Sequence, residues 1–120
     1  MIFRLREYKV VPEKIGVFNA FFREHLLPVQ QKYGAKLIGR WQTEDYKAIY
    51  VLWAYAGHEE HRRIQHLVST DAQLQESLQY RRAKLDPLYL EKDDHFLVAN
   101  VPLGLTELAH LEDWPPHSHS

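Results

Sequence analysis

The chain has 120 residues, 45% of them apolar and 26% charged, with a net charge of -1 and no cysteine. That length fits one domain with a modest core, the near-neutral balance argues against a general phosphate-binding surface and so against nucleic acid, and the missing thiols exclude disulfides and thiolate metal sites. The opening Met1 to Glu7 has neither an apolar signal core nor transit-peptide composition, and no run approaches the roughly 20 apolar residues of a membrane helix, so a cytoplasmic protein without membrane contact is the expectation.

Residues Ile2 to Val10 set Phe3 and Leu5 against Ile2, Arg4, Arg6 and Tyr8, the pattern of a strand with one apolar and one mixed face. Pro12 suits the first turn of a helix and Glu13 complements its positive end. Ile15, Phe18, Phe22, Leu26, Val29 and Tyr33 then recur at helical spacing. Pro28 inside that stripe should kink or restart the helix, and Gly34 should end it. Ala35 to Gln42 reads as a second strand, with Leu37 and Trp41 on one face and Ile38 and Arg40 on the other. The tetrad Thr43 to Tyr46 makes a hairpin connection to a third.

The third strand, Lys47 to Tyr55, is apolar on both faces: Ile49, Val51, Trp53 and Tyr55 alternate with Ala48, Tyr50, Leu52 and Ala54. Such a strand must be covered twice, and a chain this short covers one face with its own helices, leaving the other for a second copy. After Gly57, acids Glu59 and Glu60 precede Arg62 and Arg63 on a helix that buries Ile64, Leu67 and Val68. Thr70 and Gln73 fit a capping box opening a third helix with Leu74, Leu78 and Leu85, which stops before Pro87. A last strand is expected from about His95 to Val101. The domain then closes near residue 103, and 104–120 reads as a short helix, Leu105 to Leu111, followed by a polar tail.

Strand, helix, strand, strand, two helices, strand gives a four-stranded antiparallel ferredoxin-like sheet with helices on one face, the first and third strands being central. The uncovered face would expose Trp, Tyr and branched aliphatics, which marks an interface.

Several motifs in order resemble the NIPSNAP family. Phe3, Leu5, Arg6 and Tyr8 match its opening aromatic, Leu-Arg, Tyr signature. Gly34 to Gly39 with Trp41 is similar to its Gly-x-Lys-Leu-Val-Gly-x-Trp segment, Trp53 and Tyr55 to its Leu-Trp-x-Tyr strand, and Asp71 falls near an aspartate common after its second helix. The likeness spans about residues 2 to 101. It departs where the family's usual arginine is His61, beside Arg62, and where its tryptophan is Leu74. The resemblance implies a dimeric α+β barrel in which two sheets pack face to face around a lumen. Barrel relatives include cofactor-free monooxygenases, haem-degrading enzymes and chlorite dismutases, while the family itself has no settled chemistry and the fold alone assigns none.

If Phe3 and Leu5 meet the helices, Arg6 and Tyr8 point into that lumen, where a buried arginine needs a partner-chain acid or a ligand carboxylate. Trp53 and Tyr55 either line an aromatic ligand pocket or serve as core and interface aromatics. His58 and His61 lack the His-Glu-x-x-His spacing and a third ligand, so they read as solvated helix-start residues rather than a metal site. His66 is a haem or substrate contact only by analogy with barrel relatives. His95 reads as a solvated strand end, His117 and His119 as a tail without fixed geometry, and Tyr80, Arg81 and Arg82 as a solvated helix face. The RNA recognition motif shares this element order, but Lys47 to Tyr55 lacks the glycines of its third strand.

The expectation is therefore a homodimer whose barrel binds, or converts by cofactor-independent oxygenase-type chemistry, a small partly apolar ligand lined by Arg6, Tyr8, Trp53, Tyr55 and His66, with no cofactor or metal. The alternative is a non-catalytic interaction module with a side-chain-filled barrel.

Overall fold

The computed structural model describes residues 1–100. The expected boundary at 103, the short helix Leu105 to Leu111 and the tail with His117 and His119 lie outside them. Strands β1 (Ile2–Val10), β2 (Lys36–Gln42), β3 (Ala48–Tyr55) and β4 (Tyr89–Leu97) form one antiparallel sheet in the order β2-β3-β1-β4, with helices α1 (Ile15–Phe21), α2 (Leu27–Lys32), α3 (His58–Ser69) and α4 (Ala72–Tyr80) on one face. This is the ferredoxin-like α+β arrangement, and β1 and β3 are its central strands.

The first helical region restarts at Pro28, as its missing N–H requires. A π-helical turn, Phe22–Leu26, separates α1 from α2 and absorbs the lost backbone bond. Gly34 ends α2 at φ 104°, a left-handed conformation that side chains resist, and its neighbour Ala35 donates back to the Gln30 carbonyl at 3.0 Å. In the hairpin, the Asp45 carboxylate accepts from the Thr43 hydroxyl at 2.7 Å and the Lys47 N–H at 3.0 Å, closing the turn.

Register settles the faces. Tyr8 packs edge-on against Phe18 of α1 with ring centroids 5.3 Å apart, and Trp53 lies 6.2 Å from Phe22. Ile2, Tyr8 and Val10 of β1 and Ile49, Val51, Trp53 and Tyr55 of β3 therefore meet the helices, joining Phe21, Ile64, Val68 and Leu74 in the core. Phe3 and Leu5 pair with Ala54 and Leu52 on the outer face. That reverses the sidedness under which Arg6 and Tyr8 would enter a lumen between paired sheets: they lie under the helix layer, because Tyr8 and Val10 extend the apolar set begun by Ile2.

Three further expectations change. A bulge between Leu37 and Gly39 makes Leu37 face Trp53 and Trp41 face Tyr50, so Leu37 joins the core while Trp41 lies 53% exposed on the outer face. The Trp41 ring covers Gly39, leaving no space there for a Cβ. The cap of α4 is Asp71, whose Oδ1 accepts from the Leu74 N–H at 2.9 Å. Thr70 instead ends α3 and donates its hydroxyl to the His66 carbonyl. Finally, β4 runs from Tyr89 to Leu97 rather than from His95 to Val101. It is an edge strand exposed on both faces, so nothing forces an apolar alternation upon it.

The outer face carries Phe3, which is buried, and half-buried Leu5, Tyr50 and Leu52 at its centre, flanked by exposed Trp41 and Leu97. No described helix covers it. Among the described residues no helix is long and apolar enough to cross a membrane.

Candidate functional site

Between the sheet and the helices lies a cleft of about 260 Å³. Its floor is Arg6 and Tyr8 of β1 with Tyr89 and Lys92 of β4; its roof is Phe18, Leu26, Gln30, Leu74 and Leu78, and Arg81 closes one end. Both Leu26 and Arg81 sit on π-helical turns, Phe22–Leu26 and Arg81–Leu85, local unwindings that recur at functional sites. Tyr8, Phe18 and Tyr89 form an aromatic corner, with centroids 5.0 to 5.8 Å apart.

The polar wall is cationic. Arg6 Nε donates to Asp94 Oδ1 at 2.7 Å and Arg4 donates to Asp94 Oδ2 at 3.2 Å, so one carboxylate serves two guanidiniums. Burial would raise the Asp94 carboxyl, but Arg6 and then Arg4 outweigh it and hold it below the usual range. Lys92 is pushed down by burial and then by Arg6. Burial raises the Tyr8 hydroxyl against the opposing pull of Arg6, so it stays a protonated donor. Arg81 Nε lies 3.3 Å from Asp86 Oδ1, yet it is buried and makes no hydrogen bond.

A second polar cluster continues along the same face. The His61 ring meets Tyr55 edge-on at 4.8 Å and Phe96 at 4.9 Å, and His58 lies 5.3 Å from Phe96. Tyr55 Oη, His61 Nε2 and Arg4 Nε are buried there without hydrogen-bond partners. Burial and then Arg4 lower the His61 pKa, which keeps the imidazole neutral.

The five residues expected to line a ligand site are thus dispersed. Arg6 and Tyr8 share the cleft. Trp53, 3% exposed, is core. Tyr55 belongs to the His61 cluster. His66 is exposed on α3, its carbonyl taken by the Ser69 and Thr70 hydroxyls. On the outer side of the helices His25 Nδ1 lies 2.9 Å from Ser77 Oγ. Ser77 is in the middle of α4, where backbone N–H groups are spent on the helix, so this contact ties two helices together and offers no oxyanion site. Among the described residues no three His, Asp or Glu side chains gather as a metal-binding group.

The family model for NIPSNAP matches residues 3–87. The chain belongs to the NIPSNAP family. Solved structures give the same fold: a NIPSNAP domain protein from Burkholderia xenovorans is 20% identical with a TM-score of 0.71, covering 84% of this chain and 96% of its own. A NIPSNAP family protein from Agrobacterium tumefaciens is 16% identical with a TM-score of 0.72, covering 86% and 93%. A "Putative antibiotic biosynthesis monooxygenase" from Nitrosomonas europaea is 14% identical with a TM-score of 0.61, covering 84% and 100%. No curated protein matches the sequence. In this NIPSNAP chain the cleft cations Arg81 and Lys92 and the acid Asp94 fall in segments whose sequence reads as solvated surface. The signal available for them was the alternation of Lys92 and Asp94 at strand spacing.

Proposed function

We propose that this NIPSNAP-family protein binds a small, partly apolar ligand in the cleft between its sheet and helices, and that two copies pair through their outer sheet faces into an α+β barrel. The observation that carries the first part is the 260 Å³ cleft, in which an aromatic and leucine wall faces Arg6, Tyr8 and Lys92. Its size lies just under the range of roughly 300 to 1,000 Å³ for small-molecule sites, and its few polar groups converge on an apolar pocket. Arg6 and Tyr8 remain the proposed ligand contacts, now within one protomer. Tyr55 belongs to a neighbouring polar extension, Trp53 is a core residue outside the cleft, and His66 has no part in it. The pairing rests on the apolar outer face, where half-buried Leu5, Tyr50 and Leu52 lie between exposed Trp41 and Leu97. Conversion by cofactor-independent oxygenation is the turnover reading favoured by the relative named as a monooxygenase. A cytoplasmic location belongs to the same proposal, and cell fractionation tests it.

Native mass spectrometry of protein taken from cells tests the binding. A co-purifying small molecule that is lost when Leu78→Trp fills the cleft is expected. Consistent absence of any bound species, with no thermal shift across a metabolite panel, refutes it. Oxygen uptake by the protein with the recovered ligand then tests turnover.

A further inference from the structure

Resting on that binding reading, we infer that the ligand is an organic anion, whose carboxylate or phosphate sits between Lys92, Arg6 and Arg81 while its apolar body lies against Phe18, Leu74 and Leu78.

Four cations, Arg4, Arg6, Arg81 and Lys92, line or flank the cleft floor, and two carboxylates, Asp94 and Asp86, answer them. Asp94 is already divided between Arg4 and Arg6. Lys92 has no carboxylate within ion-pair distance among the described residues. Arg81 contributes a buried Nε–H that no acceptor meets, although Asp86 lies beside it. Buried donors of this kind are ordinarily satisfied, and a cationic cluster short of counter-charge in a cleft with low-dielectric walls attracts an anion. Burial pushes Lys92 down, and Arg6, Arg4 and Arg81 add to that push while Asp94 alone opposes it, which agrees with the excess of positive charge counted from the geometry.

The opposite wall excludes a bare inorganic anion as the best fit. Leu26, Leu74, Leu78 and Phe18 present no donor, and Gln30 is the one polar group among the roof residues. A volume of 260 Å³ corresponds to about nine waters at roughly 30 Å³ each, which suits an acid of about ten non-hydrogen atoms. Guanidinium and ammonium groups bind carboxylate and phosphate through charge-assisted bonds about twice as strong as neutral ones. The charge of the head group should therefore decide affinity, while the body decides fit.

The test is calorimetric titration of the full chain with octanoate, octyl phosphate and octanamide, which share one apolar body. Octanoate or octyl phosphate is expected to bind at least about tenfold more tightly than octanamide, and the tighter of the two identifies the head group as carboxylate or phosphate. Lys92→Met keeps the stem on an exposed edge strand, so it leaves the fold intact. It should bring the anions down to the affinity of octanamide and leave octanamide unchanged. Leu78→Trp, or Leu78→Phe if the larger ring prevents folding, should abolish all three. If octanamide binds as tightly as the acids and filling the cleft abolishes it, the anion assignment is overturned while the cleft reading stands. If none of the three binds, or all bind the filled variant as well as the wild type, the cleft reading falls and the anion assignment with it.

Discussion

Trp53→Ala separates two uses of an aromatic strand residue, because a ligand wall and a core residue fail differently. Trp53 is 3% exposed, faces Arg4 and Leu37 across its neighbouring strands, and meets Phe22 at 6.2 Å. Full burial of a tryptophan removes up to about 250 Å² from water. At about 25 cal/mol per Å² that amounts to roughly 6 kcal/mol as an upper bound. Truncation leaves a methyl group and some collapse, so the expected loss is about 3 to 5 kcal/mol. For a chain of 120 residues that corresponds to a fall in melting temperature of about 12 to 20 °C. Urea unfolding followed by far-ultraviolet circular dichroism, at one fixed protein concentration because a dimer's stability depends on it, measures the loss. Trp53→Phe serves as the control and should lose less, since a ring still meets Phe22. A loss below about 1 kcal/mol for Trp53→Ala would mean that the helices do not close on this face of β3. The assignment of Trp53 to the core would then be wrong.

Three further outcomes follow from the same geometry. Sedimentation should find a dimer, and Leu52→Glu at the centre of the outer face should yield a folded monomer; a wild-type chain that stays monomeric at micromolar concentration refutes pairing through that face. Asp71 is held at about 2 by the Tyr33 hydroxyl, then the Leu74 N–H, then Lys32. A depressed carboxyl stabilises the fold fully above its unfolded value near 3.8 and loses that contribution as pH falls toward 2. Asp71→Asn, which can still cap α4, should therefore flatten the acid-unfolding curve between about pH 4 and 2; an unchanged curve would show that the charge is not what those partners hold. His66→Ala should change stability by no more than about 0.5 kcal/mol and leave octanoate binding unaltered, and a marked loss of binding would return His66 to the site.

How far each part was legible follows from what burial demands of it. The element order placed β3 in the centre and its two apolar faces agreed with that place, while the stripe from Ile15 to Tyr33 marked its helix because the face that meets the sheet must be apolar. The side of β1 was ambiguous, since Phe3 and Leu5 look as core-like as Ile2 and Val10. The ambiguity itself reflects a sheet with apolar residues on both faces. One bulged residue at Ile38 then moved Trp41 out of the core, a shift that alternation cannot register because it presumes unbroken pairing. The charged run Glu91 to Asp94 hid most of all. It is a strand held by backbone pairing to β1, exposed on both faces, and free of any packing constraint on side-chain type. That freedom lets β4 carry Lys92 and Asp94 on the cleft side, paired with Tyr8 and Arg6 of β1. Arg81 is concealed in the same way: it looks like one of a solvated pair with Arg82 until the π-helical turn aims it at Tyr89, with its guanidinium 5.8 Å from the ring. The cleft is thus hardest to read where its residues are set by charge and backbone pairing and not by apolar packing, and sequence patterns fail most at functional or strained positions of that kind.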